Sequence, residues 1–212
     1  MNTFIDENGV HTEMQIGNMR QTLEYKIIGI NHDDLADGSG KAGLTFLTAS
    51  TGIKSRMNAT DTSVGGWERS ELRAKMNSGE IWNLMPSDFQ FEVKPVRKLT
   101  CNVEGGNLSK NATVTATFDK LFLLSYSEIV PTSYWASNYP WTSSEGSQYE
   151  AFKGKVTNNY NSNSAIAIGG NWWERSVYPD YPENFLKVNS SGDPADRNYA
   201  TNSYCVCPAW CF

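Results

Sequence analysis

The sequence predicts one α+β domain, rich in short strands and loops and poor in helix. Three observations lead there. Short alternating or β-branched apolar stretches recur along the chain, helical spacing is confined to one region, and Gly, Asn, Ser and Thr are abundant. With 212 residues there is enough chain for a real core, in one large domain or two small ones, and no linker or true repeat is visible. Residues 1–22 read as a polar lead-in, loose or folded as an edge hairpin, and residues 23–212 as the domain.

Residues 23–30 (LEYKIIGI) alternate partially and suit a strand. Residues 31–41 (NHDDLADGSGK) are a turn-rich, solvated loop. Asp33, Asp34 and Asp37 are carboxylates of the calcium-binding kind, but no acidic residue closes a loop of EF-hand length after the glycine. Residues 44–49 (LTFLTA) make a second strand. Gly65-Gly66-Trp67 opens the main helix, in which Leu72 and Met76 share a face and Glu71 and Lys75 have favourable i,i+4 spacing. Asn77-Ser78-Gly79 ends it, and Ser78 caps a second short helix (EIWNLM) stopped by Pro86. Met76, Ile81, Trp82 and Leu84 are core candidates. Residues 91–100 (FEVKPVRKLT) read as a strand in which Pro95 argues for an edge or a bulge. Residues 104–111 (EGGNLSKN) form a loop. Residues 113–118 (TVTATF) alternate as a half-exposed strand, and residues 121–125 (LFLLS) as a buried one. Residues 126–164 are long and loop-like, with Trp135, Tyr139, Trp141, Tyr149 and Phe152 scattered through them. Long irregular segments in a compact domain often carry function. The tetrapeptide W-E-R-S occurs at residues 67–70 and again at 173–176, but the flanks differ.

Composition excludes several function classes. A net charge of −5 with no basic stripe makes nucleic acid a poor partner. No apolar run reaches the length of a membrane span, and the first residues carry no secretory signal. The expected location is the cytoplasm or a phage virion, with the cell surface reached only by another export route. Cys101 stands alone while Cys205, Cys207 and Cys211 crowd together. A C-x-C-x₃-C metal or redox site is one reading, but no His lies near as a further ligand. Buried thiols acting as small apolar groups are the preferred reading, and no metal or cofactor is expected.

Residues 172–212 are the stretch the chain is built to hold. Trp172, Trp173, Phe185, Val188, Val206, Ala209, Trp210 and Phe212 form a sparse apolar frame. Between them sit Tyr178, Asp180, Tyr181, Asn184, Asp193, Asp196, Arg197, Asn198, Tyr199, Asn202, Ser203 and Tyr204. Tyr, Asn, Ser and Asp are the residues of adaptable binding loops, with Tyr supplying rigid contact area and Asn and Ser adaptable hydrogen bonds. Four of the chain's eight prolines fall here, so long helix is excluded. The plain alternative is a loop-rich end with turn residues where turns occur. Trp172, Trp173 and Trp210 are expected in the core, and Tyr178, Tyr181, Tyr199 and Tyr204 at the surface.

Five segments carry a resemblance: GGWERSELRAKMNSGEIWNLMP at residues 65–86, DKLFLLSYSEI at 119–129, WWERS at 172–176, FLKVNSSG at 185–192 and CVCPAWCF at 205–212. Together they resemble a bacterial and phage domain of unknown function, DUF6273. That family is similar to the C-type-lectin-like fold of formylglycine-generating enzymes and of variable proteins of diversity-generating retroelements. The resemblance implies a lectin-like scaffold kept at Trp173/Arg175/Ser176, Phe185/Val188/Gly192 and Val206/Pro208/Ala209. It also implies C-terminal codons randomised at adenine. An AAC codon varied to NNC can encode every residue named between the anchors. Cys205 stands where the family usually has Gly, so it is either strained in a tight turn or itself a varied position.

The function these readings favour is ligand recognition through the C-terminal face, with a protein or a glycan on another surface as partner and the oligomeric state left open. Tyr178, Tyr181, Tyr199 and Tyr204 would be its aromatic anchors. Asp180, Asn184, Asp193, Asp196, Arg197, Asn198, Asn202, Ser203 and Cys205 would complete the face. A structural particle component making one fixed contact is the alternative. An enzyme of the formylglycine-generating type is disfavoured, because the cysteines lie on the terminal strand and no acid/base pair is evident.

Overall fold

The strand predicted at residues 23–30 forms, and it begins earlier than its apolar pattern. The computed structural model describes residues 5–6, 9–16, 19–49, 52–102, 112–157, 162–179 and 181–212, with side chains from residue 24 onward. β1 (Ile5–Asp6), β2 (Gly9–Ile16) and β3 (Met19–Ile30) run antiparallel, with Ile16 opposite Met19. The hairpin reading of the lead-in therefore holds for its described backbone. β4 (Leu44–Thr48) pairs antiparallel with β3 through a register shift between Ile27 and Gly29. β5 (Lys54–Ser55) is too short to leave a periodic signal.

The helical region is organised differently from its pattern. Gly65 and Gly66 have φ of 86° and 53°, and a Cβ on Gly66 would lie 2.4 Å from the Cys101 carbonyl. They make a tight turn against a neighbouring segment, and the helix starts four residues later than Trp67. α1 (Glu71–Asn77) is capped by Ser70, whose side chain accepts from the Arg73 N–H at 3.1 Å. Leu72 and Met76 are fully buried, as their spacing requires. The expected Glu71–Lys75 pair is replaced by Arg56–Glu71 and Lys75–Glu80 contacts. Ser78 closes α1 and leaves α2 (Glu80–Asn83) without a side-chain cap. Pro86 then precedes a helix that the sequence reading missed, α3 (Ser87–Glu92). Phe91 belongs to α3 and is 82 % exposed, so the strand expected from residue 91 begins only after Pro95.

β6 (Val96–Cys101) and β7 (Val114–Asp119) pair as a two-stranded sheet. The loop expected at residues 104–111 lies outside the described residues. LFLLS is buried and extended but forms no ladder of its own: it meets the sheets through a bridge from Phe122 to Ala209 and through the Leu124 carbonyl, which accepts from the Arg175 N–H at 2.9 Å. Residues 126–157 hold α4 (Tyr126–Ile129), with a full Ser125/Glu128 capping box, and two short 3₁₀ turns. Trp135, Trp141, Tyr149 and Phe152 are all buried there, so this largely irregular segment contributes rings to the core while residues between them, such as Tyr134, stay exposed.

Residues 172–212 supply β8 (Trp172–Val177), β9 (Asn184–Val188), β10 (Asp196–Tyr199), β11 (Tyr204–Cys205) and β12 (Ala209–Cys211). One sheet has the order β1-β2-β3-β4-β12, so the chain's end returns beside its early strands. The other has the order β10-β9-β8-β11-β5, with β11 parallel to β8. The class is α+β, mostly short strands with few helices. Two apolar clusters fill it, one around Trp67, Trp173 and Trp210, the other around Phe122, Tyr149 and Trp172.

Candidate functional site

β8 anchors the site. It lies inside its sheet between β9 and β11, and all six of its residues are buried. Polar residues in such a strand need partners, and Arg175 has them. Its Nε donates to Thr100 Oγ1 (3.1 Å), Nη1 to the Leu123 carbonyl (2.8 Å) and Glu128 Oε2 (2.5 Å). Nη2 donates to Glu128 Oε1 (3.0 Å) and to the Leu99 and Glu145 carbonyls (3.2 and 2.7 Å). Every guanidinium N–H is engaged. Lys98 joins Glu128 (2.5 Å) to Asp33 (2.6 Å), and Tyr149 donates to Asp33 at 2.9 Å. Burial works against charge on Glu128, yet Arg175 and Lys98 outweigh it and hold the carboxyl below its usual range. Burial likewise opposes the charge on Asp33, and Lys98 and Thr45 overcome it.

Asp33 is the exception in a loop that is otherwise largely solvated, as expected: it is 4 % exposed and ties the loop to the core, while Asp34 and Asp37 are exposed. This fully paired cluster fastens β6, α4 and β8 together, and its members were not recognised in sequence as a group. Two carboxyls beside it are unlike the rest. Burial raises Glu145 to about 7, against its bonds from Ser176 and the Cys101 N–H. Glu174 is raised well above its ordinary value, by burial and then by Glu145 and Asp193, and neither of its oxygens has a hydrogen-bond partner among the described residues.

The predicted face divides into a surface part and a structural part. Tyr181 and Tyr199 are 49 % and 52 % exposed, and Arg197 and Ser203 are exposed too. Asp193, Asp196, Asn198, Asn202 and Tyr204 are half-buried. Three expectations of exposure are corrected. Tyr178 is 7 % exposed, packed edge-on against Trp135, because the β8–β9 turn folds back over it. Asn184 is buried at the base of that turn, bonding Tyr178 and Tyr181 through its backbone. Cys205 is buried in β11, where its N–H donates to the Asn171 carbonyl, and its backbone is not left-handed, so the expected strain is absent. Asp180 lies outside the described residues.

The pleat of β10 sorts the rest by alternation. Asp196 and Asn198 take one face. There Lys187 Nζ meets Asp196 Oδ2 at 2.5 Å, its ammonium lies 5.3 Å from the Tyr204 ring centroid, and Asn198 donates to the Tyr204 hydroxyl and accepts from Asn202 at 2.7 Å. Trp173 closes this pocket against Tyr204, ring centroids 4.9 Å apart. Arg197 and Tyr199 take the other face, where Arg197 lies over Tyr178 (4.4 Å) and Tyr181 (5.0 Å). The Arg197 and Tyr199 N–H groups donate to the side chains of Asp196 (2.7 Å) and Asn198 (2.9 Å). Asp193 shapes the preceding turn by accepting from the Ala195 N–H at 2.8 Å. Gly192 is required in that turn: its φ is 87°, and a Cβ would sit 2.0 Å from the Asn163 carbonyl.

The four cysteines are buried, and burial pushes the Cys101 and Cys211 thiols up to about 12. Among the described residues no three His, Cys, Asp or Glu side chains are grouped to hold a metal ion, and no helix is long and apolar enough to cross a membrane. An open groove of ≈470 Å³ lined by Leu35, Lys41, Lys94, Pro95 and Phe212 shares no residue with the predicted face. No curated protein and no solved structure matches the chain. A family model described as "Domain of unknown function (DUF6273)" matches residues 42–212, and the chain belongs to that family.

Proposed function

We propose that this DUF6273 chain is a ligand-recognition protein whose lectin-like scaffold presents β10 and the β8–β9 turn to a partner. The observation that carries the reading is the pairing of a fixed base with an adaptable surface. β8 is locked from beneath by Arg175, while Tyr181, Arg197, Tyr199 and Ser203 stand exposed on the elements it holds. Large amphipathic rings on a rigid support bind at low entropy cost. In the retroelement reading these exposed positions are also the diversified ones.

Tyr181→Ala and Tyr199→Ala should each weaken partner binding by about 1–2 kcal/mol with the fold unchanged by circular dichroism. Unchanged binding in both would refute the placement of the face. Diversification is tested in the DNA beside the gene. It requires a second copy of the segment encoding residues 172–212 that differs only at adenines, next to a reverse-transcriptase gene. Absence of that copy leaves a face with fixed specificity, or the fixed contact of a structural component.

A further inference from the structure

We propose that Arg197 is a carboxylate receptor at the centre of this face, and that the face takes an acidic segment of a partner protein. The inference rests on the reading that the face binds a ligand, and it adds what the ligand carries.

Three cations lie in β8, β9 and β10, and two are neutralised. Arg175 is paired to Glu128 and Lys187 to Asp196. Arg197 has no acidic partner for its side chain among the described residues; the hydrogen bond it makes to Asp196 comes from its backbone N–H. Its guanidinium is nevertheless held in place. It lies over Tyr178 and Tyr181, whose rings stack with centroids 5.6 Å apart and 23° between planes. Tyr178 is braced by buried Trp135, centroids 5.5 Å apart at 82°.

The two rings hold the guanidinium as a cation without offering it a strong acceptor, so its N–H groups stay available to a planar, two-oxygen acceptor. A carboxylate matches that fork. Exposed Tyr181 beneath it and exposed Tyr199 on the same face of β10 flank it with amphipathic rings, the composition of protein–protein hot spots. The chain's net charge is −5, so an acidic partner meets general repulsion and, among the described residues of this face, an unneutralised cation held over two rings on which to register. Such an arrangement selects orientation and partner more than it adds raw affinity.

The test uses the full chain and immobilised pools of blocked nonapeptides, random except for a central Glu, Gln, Lys or phosphoserine. Retention on the Glu pool should exceed that on the Gln pool about tenfold at low salt, and the difference should shrink in about 0.5 M NaCl. Arg197→Ala should abolish the Glu preference. Arg197→Lys should restore only a minor part of it, because an ammonium cannot make the fork. Tyr181→Ala should lower retention on the Glu and Gln pools alike. Equal retention of Glu and Gln pools, or a Glu preference that survives Arg197→Ala, overturns the proposal. So does a phosphoserine pool held in preference to Glu, or glucuronate displacing the chain where acetyl-glutamate does not. A Tyr181→Ala effect without any Glu preference leaves the binding face standing and removes the acid. No retention on any pool overturns both.

Discussion

The tetrapeptide W-E-R-S occurs twice, and its two copies meet different environments. At residues 67–70 only its ends are buried. Trp67 donates to Asp119 at 2.9 Å and Ser70 caps α1, while Glu68 and Arg69 face solvent. At residues 173–176 the whole tetrapeptide is buried. Trp173 donates to the Ser55 carbonyl at 2.9 Å, Arg175 is saturated with acceptors, and Ser176 donates to Glu145 while accepting from the Tyr126 N–H at 2.9 Å. The first copy lies in a turn, where consecutive residues point different ways and charged ones can reach water. The second lies in an interior strand covered on both faces, where Arg175 must find a counter-charge and an unpaired Glu174 is pushed to take up a proton. Both tryptophans end in the same apolar cluster, so the shared anchor is the ring and the unshared part is the charge.

The sharpest way to break the comparison is to delete the arginine in each copy. Arg175→Ala leaves Glu128 buried beside Lys98 alone and should cost about 3–5 kcal/mol in urea unfolding. Arg69→Ala should stay within about 0.5 kcal/mol. Equal losses would show that the buried network is not what holds β8.

The second copy should also make stability depend on pH. The folded-state value for Glu145, about 7, lies above its ordinary 4.5. Its contribution is full below pH 4.5 and is lost as pH rises toward 7, because the unfolded chain ionises first. That loss amounts to about 3 kcal/mol, and Glu145→Gln should make the profile shallower by that amount, leaving the same-signed loss that Glu174 contributes. A wild-type profile that is flat across this window would mean that Glu145 is solvated.

The smallest contrast is between the serines. Ser176→Ala strands a buried carboxyl and a buried N–H and should cost about 2–3 kcal/mol, whereas Ser70→Ala removes one helix cap and should cost about 1 kcal/mol. Thermal melts of the two variants would order them.

Much of the scaffold was legible because local rules fixed it. Alternation in TVTATF, the i,i+4 pair Leu72 and Met76, and prolines excluding long helix each needed only neighbours in sequence. α3 was missed because Pro86 was read as a stop, although proline serves as well beside a helix start. The buried network was illegible for a different reason. Asp33 and Lys98 are 65 residues apart, and Glu128 and Arg175 are 47 apart. No pattern in a short window distinguishes such charges from solvated ones. Within the predicted face, Tyr178 differed from Tyr181 for the same reason, since Trp135 arrives from a remote segment to cover it. The split of β10 into two chemical faces was implicit in strand periodicity, but only the register with β9 assigns a partner to each residue.

β10 ends its sheet, and a terminal strand ordinarily offers a row of open backbone donors to any extended chain that drifts past. Here the N–H groups of Arg197 and Tyr199 are already taken by the side chains that precede them. A would-be added strand must first evict Asp196 and Asn198. The rim that displays the tyrosines is thereby guarded against templated growth into fibres, and a visitor is admitted by its side chains rather than by its backbone.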